Sequence, residues 1–521
     1  MRSGTVELSI ETFRFPATGG VFLFKLEFFR YYINMDLKKF KGKKIALLGF
    51  GVENIAVGKF FTQQMIDFQI LDKAEVGQLS TEAQETIKTD NLKIITGADY
   101  LSHLVDFDIV VRTPGIPYLA PEIQKAEKMG VEITSSTKLF FELCPAKIIG
   151  VTGTKGKGTT ASLIYEIVKR NIQETGNNNQ TNQKFQISNS EKIPGLITHK
   201  SNFENVYLAG NIGIPAFQII EDVKPRDIVI FELSSFQSQD MKSSPNIAVI
   251  VNLDQDHLDY HKSLEEYRSA KYSILKYQNP DNFAIINWDY PELRKVAKFG
   301  KAKKYYFSSK EEVDQGAFVS EKGEVFLTIG QKEKVCSEGK IKLIGRHNLE
   351  NIAAASIVGK ILQIPIENIS GTVKDFQGLP HRLELVREID GIKIYNDSFS
   401  TNPIPTIAAI KSFSEPITLI LGGSSKGADF SELAKTIKSS SVKNILLIGV
   451  EGPKIRKILE EENTKINILN GGRDIQEIAE NAFKTTENGG VILFSPACAS
   501  FDLFKNYKDR GEKFKRVVAG L

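Results

Sequence analysis

The sequence predicts an α/β protein with three consecutive domains, and three observations lead to this fold class. At 521 residues the chain is too long for one ordinary core. From Lys43 onward, short continuous apolar runs alternate with helical patterns, which is typical of a parallel sheet covered on both faces. The alternation starts again at "AKIIGVTG" and at "GLPHRLEL". We therefore expect a Rossmann-like N-terminal domain, a central domain with a mainly parallel sheet, and a Rossmann-like C-terminal domain.

Composition and charge exclude several classes of protein. Apolar residues make up 41% and charged residues 25% of the chain, as in an ordinary globular protein. The net charge of +4 is small for this length, and no dense Lys/Arg block is present, so we expect no nucleic-acid partner. The most apolar N-terminal run, "VFLFKLEFF", is interrupted by Lys25 and Glu27 and is too short to insert across a membrane. Cys144, Cys336 and Cys498 lie far apart and form no metal or disulfide spacing, which favours a reducing cytoplasm.

The first domain is expected over residues 35–145. Its predicted strands lie in "KIALLGFG", "FQILD", "FDIVVRTPG" and "VEITS". Residues 1–34 have no clear periodic pattern, whereas "MDLKKFKGKKIALLGFG" from Met35 reads as a natural beginning. We interpret the extension as an upstream translation artefact, with a loosely attached, disordered arm as the alternative.

The central domain is expected over residues 146–378 and the last domain over 379–521. In the central domain, the apolar runs of "ENVYLAGNIG", "DIVIFELSSFQ", "IAVIVNLDQDHLD" and "FAIINWD" each end in polar residues. Ligands of such sheets bind beyond the carboxyl ends of the strands, so we expect the active site there. The stretch 173–201 is rich in Asn, Gln, Ser and Thr and is predicted to be a mobile surface insertion. The last domain repeats the alternation in "ITLILGGSSKGADF", "NILLIGV" and "GGVILFSPACASFD".

The glycine-rich stretch "GVTGTKGKGTT", from Gly150 to Thr160, is similar to a phosphate-binding loop but departs from it at two places. Val151 stands where the pattern G-x-x-x-x-G-K-[ST] has its first glycine, and Gly158 stands where it has a hydroxyl. The stretch lies between an apolar strand and a helical pattern, where glycines, a helix N-terminus and Lys157 would together bind the phosphates of a nucleotide. The alternative is a tight turn between a strand and a helix. The context favours the phosphate site, which makes the central domain a P-loop ATPase domain.

Carboxylates at neighbouring strand ends would supply metal ligands for such a nucleotide. Glu232 ends the run "VIFE", while Asp254, Asp256 and His257 follow the run "IAVIVNL". A carboxylate at such a place is unfavourable unless it binds a cation or another partner. Each of these residues alone could equally be a helix cap or a satisfied polar group. Together with the loop and the hydroxyl of Thr159, they indicate a magnesium-nucleotide centre.

Several motifs, in this order along the chain, resemble those of the Mur ligase superfamily. They are "TGTKGKGTT", "GNIG", "ELSSFQ", "DHLD" followed by "YRSAK", "GRHNLEN", "GLPHR", "NDS", "GGSSKGADF" and "SPACASFDLFKNYKDRG". The resemblance runs from about Lys43 to the C-terminus, and "ELSSFQ" and "SPACASFD" are specific to the members that add D-glutamate to UDP-N-acetylmuramoyl-L-alanine. It implies an ATP-dependent ligase of the cytoplasmic stage of peptidoglycan synthesis. Such a ligase acts through an acyl phosphate and releases ADP and phosphate, and we expect a monomer.

The resemblance also implies a nucleotide site with two magnesium ions. The residues implied in ATP binding are Gly153, Thr154, Lys155, Gly156, Lys157, Gly158, Thr159, Thr160, Asn287, Arg382 and Asp397. The implied metal ligands are Thr159, Glu232, His257 and Lys271. Lys271 matches a lysine that is carbamylated in this family, which turns an ammonium into an anion. The residues implied in catalysis are Lys157, His257, Lys271 and Lys426.

The substrate-binding residues that the resemblance implies come from all three domains. Those toward the UDP-sugar are Asp72, Thr113, Asn211 and Gln237. Those toward the amino acid are Thr401, Lys426, Ser500, Phe501 and Tyr507. Two residues depart from the family. Phe399, in "DSFSTN", replaces the lysine of the family's "DSKATN", and Glu53 is atypical in the loop that follows the first strand.

Two other functions stay open from the sequence. Folylpolyglutamate synthetase belongs to the same superfamily, and its loop more often has a glycine after the lysine, as at Gly158. That enzyme, however, has no UDP-binding domain before the loop. The second alternative is a nucleotide-binding protein without turnover, because Phe399 removes a cation from the implied site.

Overall fold

The computed structural model describes residues 37–178, 203–254, 260–425, 427–463 and 466–521. Several sequence-based predictions fall outside this part of the chain. They are the extension 1–34, most of the polar stretch 173–201, Asp256, His257 and Lys426. The first residues of the polar stretch, up to Asn178, continue a helix.

The N-terminal domain is a parallel sheet with helices on both faces. Its strands are β1 Ile45–Leu48, β2 Gln69–Asp72, β3 Lys93–Thr96, β4 Ile109–Arg112 and β5 Glu132–Ser135. Its helices are α1 Val52–Gln63, α2 Thr81–Thr89, α3 Pro121–Lys128 and α4 Ser136–Leu143. The strands pair in the order β3-β2-β1-β4-β5, and all of these pairings are parallel. Every residue of β1 and β4 is buried, because both faces of the sheet are covered.

The central domain contains a larger, mainly parallel sheet. Its strands are β6 Lys147–Thr152, β7 Val206–Gly210, β8 Ile228–Glu232, β9 Ile247–Ile250, β10 Phe283–Asn287, β11 Lys303–Ser308, β12 Gly316–Val319, β13 Glu324–Leu327 and β14 Glu333–Ser337. Its helices are α5 Lys157–Asn178, α6 Ser235–Ser238, α7 Leu264–Lys276, α8 Pro291–Val296, α9 His347–Ile361 and α10 Ile366–Asp375. The strand order is β14-β13-β12-β11-β10-β9-β6-β8-β7. The pairings from β7 to β12 are parallel, whereas β12, β13 and β14 pair antiparallel.

The C-terminal domain is again a sheet between helices. Its strands are β15 Glu384–Ile389, β16 Ile392–Asn396, β17 Ile417–Gly422, β18 Val442–Ile448, β19 Asn467–Asn470 and β20 Val491–Phe494. Its helices are α11 Pro403–Ile410, α12 Ser431–Lys438, α13 Gly452–Glu461, α14 Ile475–Thr485 and α15 Tyr507–Gly520. The strand order is β15-β16-β20-β17-β18-β19, and every pairing except β15 with β16 is parallel. The three sheets confirm the predicted fold class.

An apolar core joins the N-terminal and central domains. Phe60 and Phe140, from α1 and α4, contact Phe217 and Phe231 of the central domain. The ring centroids of Phe60 and Phe217 are 5.3 Å apart, and those of Phe140 and Phe231 are 5.6 Å apart. Because all four rings are buried, they fix one domain against the other. Among the described helices, none combines the length and apolar character that crossing a bilayer requires.

Candidate active site

The glycine-rich loop lies at the carboxyl end of β6, an interior strand of the central sheet. Its neighbours in the sheet are β8 and β9. In the parallel registers, Val151 of β6 is paired with Glu232 of β8, and Thr152 is paired with Ile250 of β9. The loop therefore begins beside Glu232, at the edge of the sheet where the sequence predicts the active site.

Two glycines give the loop its path into α5. Gly153 has a φ of 155° and Gly156 a φ of 75°, both in the region that favours glycine. A Cβ added at Gly156 would clash with Oδ1 of Asn351, a residue of α9 in the "GRHNLEN" motif. Asn351 Oδ1 also accepts a hydrogen bond from the Thr160 hydroxyl, at 3.2 Å. The motif thus packs against the loop, and only glycine fits at position 156.

Asn252, which follows β9, holds the first half of the loop. Its Oδ1 accepts hydrogen bonds from the backbone N–H groups of Thr154, at 2.9 Å, and Lys155, at 2.8 Å. The Thr154 hydroxyl lies 2.9 Å from the Tyr267 hydroxyl and accepts a bond from the Asp254 N–H, at 2.8 Å. These contacts fix the first half of the loop, which leads into the N-terminus of α5, the end of a helix that favours an anion.

Two lysines contact the backbone of the loop. Nζ of Lys157 donates to the carbonyl of Thr154 at 3.1 Å. Nζ of Lys271, on α7, donates to the carbonyl of Gly153 at 2.7 Å and lies 4.7 Å from the centroid of the Tyr267 ring. Lys271 is 1% exposed, so it is among the most deeply buried basic residues that the structure describes. Both of these implied catalytic lysines are therefore at the loop.

Glu232 presents a buried carboxylate oxygen to the start of α5. The residue is 3% exposed, and its Oε1 accepts a hydrogen bond from Nδ2 of Asn211 at 3.1 Å. Its Oε2 has no hydrogen-bond partner among the described residues. A Cβ added at Gly158 would lie 3.2 Å from this oxygen and 3.1 Å from Cδ1 of Leu379. A buried carboxylate oxygen without a partner fits a divalent cation at this place.

Only some of the other implied metal ligands lie among the described residues. Thr159 lies in the first turn of α5, one residue from Gly158, while His257 is outside the described residues. Within the described ranges, no group of three His, Cys, Asp or Glu residues could hold a metal ion. Thr159 and Lys271 belong to none of these four residue types, so the absence of such a group does not bear on them. Their roles as metal ligands stay predictions.

The C-terminal domain brings Arg382 and Asp397 to the same region. Burial lowers the pKa of Arg382, and the negative charges of Glu232 and Asp397 act in the opposite direction. Asp397 is 5% exposed and accepts hydrogen bonds from the Ser495 hydroxyl, at 2.6 Å, and from the Leu383 N–H, at 3.1 Å. Burial raises the pKa of its carboxyl to about 6. The effect of Glu232 on the pKa of Arg382 indicates that the arginine lies toward the candidate nucleotide site.

Asn287, at the end of β10, makes internal hydrogen bonds with its whole amide. Nδ2 donates to the carbonyl of Val251 at 2.8 Å and to Oε2 of Glu350 at 3.0 Å, and Oδ1 accepts from the N–H of Asp289 at 2.9 Å. Burial raises the pKa of Glu350. Asn287 is fully buried, and its contact with the base stays a prediction.

The residues implied at the uridine end shape the loops of the N-terminal sheet. Asp72 Oδ2 accepts from the Phe50 N–H at 2.7 Å, and Oδ1 accepts from the Ala74 N–H at 2.9 Å. Thr113 lies against Gly49, whose φ is 77°, and a Cβ at Gly49 would press on the Thr113 methyl group. Asp72 and Thr113, after β2 and β4, thus contact the Gly49–Phe50 turn after β1 from its two sides.

Gln237 and the atypical Glu53 meet at the boundary of two domains. Nε2 of Gln237 donates to Oε1 of Glu53 at 2.9 Å, and its Oε1 accepts from the Ser234 N–H at 3.0 Å. Oε2 of Glu53 accepts from the Ser136 hydroxyl. Burial raises the pKa of Glu53. Sequence reasoning named both residues but missed that they bind each other, because they lie far apart in the chain.

The described residues implied in amino-acid binding follow β16 and β20. Ser500 is 2% exposed, whereas Phe501 is 68% exposed and its N–H donates to the Ser424 hydroxyl at 3.0 Å. Tyr507 begins α15 and contacts Phe399 edge to face, with centroids 4.9 Å apart. The half-buried Thr401 precedes α11, and Lys426 lies outside the described residues.

Three residues of the site were missed as individual candidates. Asn252 and Tyr267 hold the loop, and Asn351 closes on Gly156. Asn252 directly follows an apolar strand, which was the signal used for Glu232, and Asn351 belongs to a motif that the sequence analysis quotes. Tyr267 opens the quoted motif "YRSAK", but an aromatic residue on a helix is most often part of the core, so only Lys271 of that motif was singled out.

Comparisons with known families cover most of the chain. Residues 43–135 match a family described as the Mur ligase MurD-like N-terminal domain. Residues 151–359 match the Mur ligase middle domain, and residues 381–498 match the Mur ligase glutamate ligase domain. These three matches follow the order of the three sheets.

Individual proteins are similar over nearly their whole length. UDP-N-acetylmuramoylalanine–D-glutamate ligase of Acetivibrio thermocellus is 37% identical over 94% of this chain and 99% of its own. The enzyme of the same name from Clostridium tetani is 35% identical over 94% of this chain and 100% of its own. The crystal structure of UDP-N-acetylmuramate–alanine ligase from Thermotoga maritima superposes with a TM-score of 0.53 at 18% identity, covering 92% of this chain and 100% of that one. The structural similarity supports the fold alone.

Proposed function

The chain belongs to the Mur ligase family, and we propose that it joins D-glutamate to UDP-N-acetylmuramoyl-L-alanine in an ATP-driven reaction of peptidoglycan synthesis. The observation that carries the proposal is the identity of 35–37% over nearly the full length of relatives that bear the name of this enzyme. The glycine-rich loop beside a buried carboxylate supports it independently. Because the cytoplasm supplies ATP, we also propose that the protein acts there. We further propose that it is a monomer.

The reaction requires two anions to meet. A carboxylate oxygen of the alanyl group attacks the γ-phosphorus of ATP, and the bond to the bridging oxygen breaks as ADP leaves. The amine of D-glutamate then attacks the carbonyl carbon of the acyl phosphate, loses a proton, and displaces phosphate. Catalysis therefore depends on positive charge and hydrogen-bond donors around the transferring phosphoryl group.

We assign the phosphates to the loop and the first turn of α5. The first turn of α5 begins at Lys157, and the helix dipole favours an anion at this end. Lys157 begins the helix, with its Nζ 3.1 Å from the Thr154 carbonyl. In this assignment, Lys157 contacts the β- and γ-phosphates. Thr154 and Lys155 keep the loop in shape through Asn252.

We assign the metal ligands to the residues around Glu232. Magnesium, when bound with ATP, neutralises the charge on the phosphoryl group. Thr159 and Glu232 would hold one ion, and Oε2 of Glu232 is the atom that lacks another partner among the described residues. His257 and Lys271 would hold a second ion. For that role, the neutral amine of Lys271 adds to carbon dioxide and loses a proton, which gives a carbamate anion.

We assign the remaining contacts to two groups of residues. Arg382 and Asp397 reach the nucleotide from the C-terminal domain, with Asn287 toward the base, and Gly153, Gly156, Gly158 and Thr160 form the walls of the loop. Asp72, Thr113, Asn211 and Gln237 serve the UDP-sugar, and Thr401, Lys426, Ser500, Phe501 and Tyr507 serve D-glutamate. A dicarboxylate needs a cation and several donors, and Lys426 would supply that cation.

Phosphate release tests the proposed function. The protein is incubated with ATP, magnesium, UDP-N-acetylmuramoyl-L-alanine and D-glutamate, and each component is omitted in turn. We expect release that requires all four, with one amide product per phosphate. Release that depends on a folate and L-glutamate would identify the protein as a folylpolyglutamate synthetase instead. No release with any substrate set, despite nucleotide binding, would indicate a protein without turnover.

A further inference from the structure

The guanidinium of Arg382 lies over the ring of Phe399. Its Cζ is 3.8 Å from the ring centroid, a distance at which the negative face of the ring attracts a cation. Phe399 stands where the resembling motif has a lysine. At this position the chain therefore presents an aromatic surface to a neighbouring cation instead of supplying a second cation.

Phe399 is itself held in place by two contacts. The ring meets Tyr507 edge to face, with centroids 4.9 Å apart and an interplanar angle of 86°. The backbone N–H of Phe399 donates to the carbonyl of His381 at 3.0 Å, which ties it to the residue before Arg382. The residue is 36% exposed, so the two contacts, and not burial, hold the ring. Its position is thus fixed relative to the backbone that carries the arginine.

The backbone around Arg382 is also fixed. The His381 N–H donates to Oε2 of Glu384 at 2.8 Å, and the Leu383 N–H donates to Oδ1 of Asp397 at 3.1 Å. The guanidinium is different, because in the described part of the chain it makes no hydrogen bond and no ion pair within 4 Å. The Phe399 ring contacts one face of the guanidinium, and the charges of Glu232 and Asp397 attract it from further away.

We propose that Phe399 is a positioning residue that holds the Arg382 guanidinium toward the phosphates of the bound nucleotide, beside Glu232. The inference rests on the proposed function in one respect, that the anion is a nucleotide phosphate. All five donors of a guanidinium that stacks on a ring stay available for an anion, because the stacking uses its face and leaves its N–H groups free. An aromatic ring thereby orients the guanidinium at this site without using its hydrogen-bond donors.

Two kinds of substitution distinguish the effect of an aromatic ring from the effect of an apolar side chain alone. Phe399→Leu and Phe399→Met keep an apolar side chain but remove the aromatic face, whereas Phe399→Tyr and Phe399→Trp keep that face. The affinity for ADP with magnesium is measured by calorimetry, with no turnover required. We expect Leu and Met to weaken ADP binding by about 3- to 10-fold, as expected for loss of a cation–π contact, and Tyr and Trp to stay within about 2-fold. The KM for ATP should rise by a similar factor, with a smaller change in kcat.

A double-mutant cycle tests whether Phe399 acts through Arg382. Arg382→Ala should weaken ADP binding, and Phe399→Leu added to it should cause no further loss. Unchanged ADP affinity in Phe399→Leu would overturn the proposal. Equal losses from Phe399→Leu with and without Arg382 would also overturn it, because the ring would then act through the fold.

A matched control comes from the hairpin of the central domain. Phe326→Leu removes a ring that lies 5.2 Å from Nζ of Lys332, far along the sheet from the loop, and should leave ADP affinity unchanged. The proposed function has its own test in the release of phosphate. If ligation of D-glutamate is not found but Phe399 and Arg382 remain coupled in ADP binding, the proposed function fails and the positioning role stands.

Discussion

The ammonium of Lys271 donates a hydrogen bond of 2.7 Å to the carbonyl of Gly153, the first residue of the loop after β6. The same nitrogen lies 4.7 Å from the centroid of the Tyr267 ring, and the Tyr267 hydroxyl contacts the Thr154 hydroxyl. Helix α7 is thereby connected to both residues that open the loop. A change at Lys271 therefore acts where the phosphates are proposed to bind.

Lys271→Ala should abolish most of the activity. If the lysine carries a carbamate that holds metal, its removal costs a metal ligand, and we expect a loss of about 100-fold or more in kcat. A short carboxylic acid added in solution should restore part of the rate, because it can supply the missing negative charge in the vacated space. The rate is measured with and without acetate or formate.

The control for this variant is Lys276→Ala on the same helix. Lys276 is exposed, so its removal should leave kcat unchanged and should respond to no added acid. Wild-type turnover in Lys271→Ala would eliminate a role in metal binding. A large loss of activity that no added acid restores would indicate that Lys271 acts as an ammonium, through its hydrogen bond to the loop carbonyl.

Glu232→Gln should raise the magnesium concentration needed for activity. The substitution keeps an oxygen that can accept the hydrogen bond from Asn211, but it removes the charge of a carboxylate whose Oε2 has no other partner among the described residues. We expect kcat to fall by about 100-fold at low magnesium. Titration of activity with magnesium measures the shift. The exposed Glu204, next to β7, provides the control variant Glu204→Gln, and equal magnesium curves for the two would contradict the assignment.

Gly158→Ser should lower activity, although it restores the standard pattern of a phosphate-binding loop. A Cβ at this position would lie 3.2 Å from Glu232 Oε2 and 3.1 Å from Leu379 Cδ1. The new side chain would therefore be too close both to the carboxylate and to the C-terminal domain. We expect a loss of about 10-fold in kcat/KM for ATP.

Gly520→Ser is the matched control for this change. Gly520 is also a helical glycine, and a Cβ there would meet nothing within 4 Å. Its kinetics should equal those of the wild type. An increase in activity for Gly158→Ser would show that the loop follows the standard pattern after all.

Local patterns predicted the sheets and the loop because those features depend on neighbouring residues. Apolar runs such as that of β1 and the glycines of the loop can be identified from a few residues each. The antiparallel strands β13 and β14 were not predicted. They are short and have no helix between them, so the alternation of strand and helix does not mark them.

Contacts between distant parts of the chain could not be predicted in the same way. The bond of Gln237 with Glu53 crosses two domains, and its existence depends on how the shared core sets one sheet against the other. The stacking of Arg382 on Phe399 depends on the turn at His381, whose φ is 64°. Neither the packing of domains nor a left-handed turn at a residue other than glycine has a reliable signature in a single sequence.

Asp397→Asn should remove one pH-dependent contribution to stability. Burial raises the pKa of this carboxyl from 3.8 to about 6, so the folded protein binds its proton more tightly than the unfolded chain does. The stabilising contribution is therefore complete below about pH 4 and is lost as the pH rises through about 6. Over this window, we expect the free energy of unfolding of the wild type to fall by about 3 kcal/mol relative to Asp397→Asn.

Urea unfolding of both proteins without nucleotide, at several pH values between about 4 and 7, measures the difference. Asp314→Asn, at an exposed position, should stay parallel to the wild type, and parallel curves for Asp397→Asn would show that its carboxylate is solvated.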